Sequence, residues 1–187
     1  MPIPRTLAPA AAMATLSICP AAHASFHLWE INEIYSNADG SIQFIELFTS
    51  FSGQQFTSGE RITSTSGLSS KQFVFPNNTP APTGGRNLLL ATPGFAAFPG
   101  APAPDFILPA SFLFQFNATV NFVGADVLGY TALPTDGLRS LAGNGAQNTV
   151  NTPTNFAGDS GTVPAPGPIG ALALAGALFG ARRRRPR

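Results

Sequence analysis

Glu33 and Glu46 lie in two neighbouring apolar runs, and the turn between those runs carries Asp39. If the runs pair as adjacent strands, the two glutamates come near each other. Three carboxylates grouped this way could offer oxygen ligands to Ca²⁺. A facing pair could instead do acid–base work on a glycan. Asn37-Ala38-Asp39-Gly40 lacks the alternating aspartates of a dense calcium loop and reads as a turn. The simpler reading, which the pattern favours, makes these residues surface or turn-stabilising acids on a strand face. No cofactor is required by the sequence, and calcium is the one candidate.

Other chemistries lack their residues. His27 is the one histidine outside residues 1–24, and it sits three residues after the expected leader cleavage point. No Gly-x-Ser-x-Gly elbow accompanies it in the middle of the chain, so a Ser-His-Asp site has little to stand on. The single cysteine, Cys19, lies in the leader, which leaves no thiol nucleophile, disulfide or thiolate ligand in the rest. One histidine cannot supply a usual zinc site. Gly84-Gly85 is not followed by Lys-Ser/Thr, so no phosphate-cradling loop is present. Trp29, Tyr35 and the sixteen phenylalanines could present a sugar-binding platform, although aromatics in alternating strands belong more often to a core.

The ends distort the composition. Arg5 and five arginines from Arg182 to Arg187 belong to them. The middle keeps Arg61, Lys71, Arg86 and Arg139 against nine acids, a net charge of −5. That balance excludes a basic nucleic-acid-binding surface. At the N-terminus, Arg5 precedes an alanine-rich apolar run, and Ala22-His23-Ala24 places small residues at −3 and −1 of a signal-peptidase site. Residues 1–24 therefore read as a signal peptide, helical in its apolar part and cleaved on export. At the C-terminus, Val163-Pro164-Ala165-Pro166 opens a tail of residues 163–187. Its short apolar helix is followed by Arg182, Arg183, Arg184 and Arg185. The arginines would stay on the cytoplasmic side of a membrane.

Between the ends, short aromatic and β-branched runs alternate with Pro and Gly. Strands are expected over 26–35, 41–49, 55–62, 72–75, 87–91, 106–108, 112–116, 119–123 and 127–130. A hairpin turn falls at 37–40, and one helical turn at 92–98 has Thr92 as N-cap. Ile42, Phe44, Glu46 and Phe48 should share one face of their strand. The fold expected is all-β, an immunoglobulin-like β-sandwich over 25–143. The Asn/Thr/Gly/Ser-rich stretch 144–162 reads as an extended polar linker.

Two resemblances add to this reading. The tail, with its Val-Pro-x-Pro opening, Gly/Ala/Leu span and arginine end, resembles the PEP-CTERM sorting signals of bacterial surface proteins. It departs from them at Ala165, where the family carries Glu. This resemblance implies an exosortase-type processing enzyme as partner, a membrane-tethered stage, and a final place at the cell surface or outside the cell. The middle resembles a lamin-tail-type domain through Glu30-Ile31-Asn32-Glu33-Ile34, Phe44-Ile45-Glu46-Leu47, 84–91 and Thr152-Pro153-Thr154-Asn155. The Gly-Trp turn usual in that family is missing, and Gly53-Gln54-Gln55-Phe56 stands there. That family implies a binding or structural module more often than an enzyme.

The function expected is thus a non-enzymatic, exported surface or matrix module, structural or adhesive, in contact with exopolysaccharide. The alternative is a glycan- or Ca²⁺-binding module that uses acidic and aromatic strand residues. A glycan-acting hydrolase comes third.

Overall fold

The computed structural model describes residues 25–148 and 150–163. Strands β1 (Glu30–Ser36) and β2 (Gln43–Thr49) form the expected antiparallel hairpin. Its turn closes when the Asn37 amide donates to Ile42 O (3.0 Å), and Gly40 takes a φ of 73° there. Strands β3 (Arg61–Ser66) and β4 (Ser69–Val74) make a second hairpin, and β5 (Arg86–Ala91) returns to pair with β2. One turn of helix, α1 (Pro93–Ala96), and the two-residue β6 (Phe106–Ile107) follow. Strands β7 (Phe116–Phe122), β8 (Asp126–Ala132) and β9 (Leu141–Ala142) complete the set.

These strands make two sheets, one of five strands in the order β6-β5-β2-β1-β9 and one of four in the order β4-β3-β7-β8. The chain is a β-sandwich with almost no helix. The core between the sheets contains Trp29, Ile34, Ile45, Leu47, Ile62, Leu88, Leu90, Val120 and Phe122. Strand alternation aims these side chains at the opposite sheet. Gln43 ties the layers further, because its side chain exchanges hydrogen bonds with both the amide and the carbonyl of Leu113.

The back of the five-stranded sheet is also covered. Tyr35, Phe44, Leu89, Ala91, Phe95 and Val163 form a second buried cluster there. All of β2 except Phe48 is therefore buried. The cover consists of α1 and of residues 151–163, which cross the sheet as a strap. This differs from the extended linker expected over 144–162. Asn151 is fully buried, Asn155 is nearly so, and the amides of Thr152, Thr154 and Phe156 are bonded to carboxylates of the sheet side. A polar stretch can pack when the surface below supplies acceptors for its backbone, and here that surface does.

Other expectations shift in detail. Residues 54–60 are irregular with a turn at 58–59, and β3 begins only at Arg61. Residues 112–115 pack into the core without joining a sheet. The expected single helical turn forms at Pro93–Ala96 with Thr92 at its N-cap, but the Thr92 side chain makes no capping bond. Its hydroxyl instead donates to Ser41 O (2.7 Å) and accepts from the Gln43 amide (3.0 Å). Strand β9 carried no signal in the sequence. Its neighbour Gly143 lies so close to β1 that a Cβ would sit 1.8 Å from Ile31 O. The expected signal helix and tail helix lie outside the described residues, and no helix among the described residues is long and apolar enough to cross a membrane.

Candidate functional site

Glu33 on β1 and Glu46 on β2 are direct cross-strand partners. A register irregularity between Ile31 and Glu33 precedes them, so Ile31 and Ile34 both serve the inner core while Glu33 faces the back of the sheet. Each glutamate is only 2% exposed. The expectation that they come together holds, but they do not lie on an open strand face. They lie beneath the strap.

Their oxygens are occupied by the chain itself. The Thr152 amide donates to Glu33 Oε1 (3.0 Å) and its hydroxyl to Oε2 (3.3 Å). The Thr154 amide donates to Glu46 Oε2 (2.5 Å), and Asn32 Nδ2 donates to Oε1 (2.6 Å). A third carboxylate continues the series. Asp105 Oδ2 accepts from the Phe156 amide (2.9 Å) and from the Leu89 amide (2.8 Å). Leu89 is in turn the β5 partner of Glu46. Thus alternate amides of the strap, at 152, 154 and 156, meet carboxylates in the order in which the strap crosses the sheet. Two residues of extended chain advance about 6.6 Å, enough to move from one strand to the next.

Burial sets the electrostatics. Desolvation, helped by the nearby charge of Glu33, lifts the Glu46 carboxyl from 4.5 to about 7 against the lowering effect of its hydrogen bonds. Desolvation also raises Asp105, again opposed by its two amide donors. Among the described residues no basic side chain reaches this array in an ion pair. The ion pair found among the described residues joins Arg139 to Asp136 (3.4 Å).

Asp39 stands apart from the two glutamates and stabilises its turn, as the simpler reading had it. It is exposed in the turn, accepts from the Ser41 amide (2.9 Å) and hydroxyl (2.6 Å), and those bonds hold its carboxyl below the usual range. Among the described residues no three His, Cys, Asp or Glu side chains are grouped so as to hold a metal ion. Glu33 and Glu46 have oxygen donors, but the bonds to the strap and to Asn32 use them.

The strap ends in a lock. Asn151 Nδ2 donates to Val163 O (2.9 Å) and Val163 N donates back to Asn151 Oδ1 (2.8 Å), with the Val163 side chain fully buried. Of the residues expected to direct processing, Val163 is thus part of the domain. Ala22, Ala24, Pro164, Ala165, Pro166, Arg182, Arg183, Arg184 and Arg185 lie outside the described residues.

Sequence reasoning missed Asp105 and the strap. Asp105 follows the Pro-rich run 99–104, where no alternation marks a face, and the strap has no apolar period. The Pro153 and Asn155 context gave the one usable signal. Aromatic residues divide as the simpler reading had it: Trp29 and Tyr35 are fully buried. An open cleft of about 580 Å³ lies at one end of the sandwich, lined among others by His27, Glu30, Phe51, Asp126 and Asn144. Phe51 is about half exposed there. His27 Nδ1 lies 2.8 Å from Gly124 O.

No protein-family model, no curated protein and no solved structure matches this chain.

Proposed function

We propose that the chain is an exported, non-enzymatic module of the cell surface or matrix, structural or adhesive, whose sandwich is of the immunoglobulin-like, lamin-tail kind. One observation carries the reading. The two glutamates best suited to catalysis are buried under the strap, with their oxygens engaged by Thr152, Thr154 and Asn32. A glycosidase pair needs an open cleft with room for substrate between its carboxylates. These two serve assembly instead. The small-residue site at Ala22 and Ala24 and the tail from Val163 to Arg185 support export, signal-peptidase cleavage, membrane tethering and exosortase-type sorting.

The mass of the protein recovered from cell and medium fractions tests the delivery. Loss of residues 1–24 with a shortened C-terminus is expected, whereas a chain ending at Arg187 in every fraction would remove the sorting argument. Glycan hydrolysis by the purified protein, lost on Glu46→Gln, would overturn the non-enzymatic reading.

The second reading, a glycan-binding module, is favoured by the cleft beside Phe51, where an exposed ring stands near Glu30, Asp126 and Asn144. Retention of the protein on immobilised exopolysaccharide, reduced by Phe51→Ala, would establish it.

A further inference from the structure

We propose that the Glu33–Glu46 pair makes the strap a proton-controlled latch, closed more firmly in acid and loosened as the medium turns alkaline. The inference does not depend on where the chain is delivered.

The two carboxylates are opposite each other on adjacent strands and nearly excluded from water. Like charges placed this way repel, and two buried carboxylates sharing one site do not both ionise readily. A counter-charge would relieve the pair, but among the described residues none is paired with it. From β5, Arg86 lies over the Phe156 ring, 5.7 Å from its centroid. From the segment before β6 comes another acid, Asp105, and the strap itself brings Asp159, bonded to Asn155 (3.1 Å). Arg139, close to the Leu138 carbonyl that holds Asn151, is paired with Asp136. α1 contributes no charged residue. The pair can therefore be relieved in two ways, by taking up a proton or by lifting the cover that keeps water out.

That cover is the strap, and its attachment suits reversible release. It joins the sheet through side-chain carboxylates at alternate amides rather than through a strand ladder. Its single internal bridge, Thr154 to Ser160, closes a turn within the strap and can travel with it. Docking buries the pair and so favours the protonated form, which the ordinary Glu46 value of 4.5 against about 7 in the docked state expresses. Docked and open states then differ by up to one bound proton between those values. The open fraction rises at most about tenfold per pH unit across the interval. Opening would uncover the apolar back of the five-stranded sheet, with Tyr35, Phe44, Leu89 and Phe95.

Amide hydrogen exchange of the full chain, followed by mass spectrometry from pH 5 to 8 and corrected for intrinsic exchange rates, tests the latch. Protection of peptides within 151–163 should fall by roughly ten- to a hundredfold between pH 5 and 7, while β3 and β7 keep theirs. Glu46→Gln should flatten this dependence, and Glu33→Gln should shift it to lower pH by removing the facing charge. A strap whose protection in the unmodified chain does not change with pH would overturn the proposal. So would an equal loss across all strands, or a dependence retained in both variants.

Discussion

The two faces of the five-stranded sheet are built on different principles. The inner face, with Ile34, Ile45, Leu47, Leu88 and Leu90, meets the second sheet chiefly through apolar contact. The outer face mixes Tyr35, Phe44 and Leu89 with Glu33 and Glu46 and is closed by an irregular strap. On the inner face, stability comes from area removed from water and has no preferred pH. On the outer face it comes partly from carboxylates that must accept backbone amides in a dry setting, so it depends on their ionisation. One sheet thus has a face that tolerates repacking and a face that depends on a specific set of polar partners.

The sharpest way to break the outer face is to end the chain before residue 151. This removes three amide donors to carboxylates and the burial of Val163, together on the order of 5 kcal/mol or more. That is a large share of a domain's stability, so the truncated sandwich should still melt cooperatively but at a much lower temperature. Gly143→Ala should be nearly as damaging, because the added carbon meets Ile31 O of β1, and circular dichroism should show a melting transition lowered by a similar amount. On the inner face, Ile45→Ala should cost about 2–5 kcal/mol in urea unfolding at any pH, since only a cavity is created. Asn151→Ala leaves the Val163 amide without its acceptor and should cost roughly 2 kcal/mol in the same assay.

The pH dependence separates the two faces. Glu46 is raised when folded, so the folded chain keeps a proton that the unfolded chain gives up between 4.5 and about 7. Its contribution is complete below 4.5 and is lost as pH rises through 7, roughly 3 kcal/mol in all. Glu46→Gln should remove most of that slope in a series of urea titrations, whereas Ile45→Ala should leave it unchanged. The smallest effect is expected at Asp39→Ala. Its lowered carboxyl adds stability only above its ordinary 3.8, lost as pH falls below that value, and its site is a solvated turn. A slight fall in melting temperature at neutral pH should vanish in acid.

The same contrast explains what could be read from the sequence. Strict alternation marks Ile45 and Leu47, and the parity of a hairpin around Asn37–Gly40 brings Glu33 and Glu46 together. The fate of those acids was not legible. The amides of Thr152 and Thr154 meet them from 119 and 108 residues further along the chain, and backbone amides leave no trace in residue type. Residues 144–162 read as a linker because polarity without period is the usual mark of one. Val163 read as the start of a tail because its buried setting is made by Asn151, Tyr35 and Phe44, which no local pattern links to it.

Trp29 is the only tryptophan, fully buried in the inner core with its Nε1 donating to Gln54 O (2.8 Å). Tyr35 is one of two tyrosines and lies in the outer cluster with its ring stacked on Phe44, 5.3 Å between centroids. The molecule therefore carries a built-in pair of optical reporters, one for each side of the same sheet. Tryptophan emission would follow the sandwich itself. The near-ultraviolet signal of Tyr35 would follow the layer above it, so loss of the outer cover and collapse of the whole fold can be told apart by colour in a single unlabelled sample.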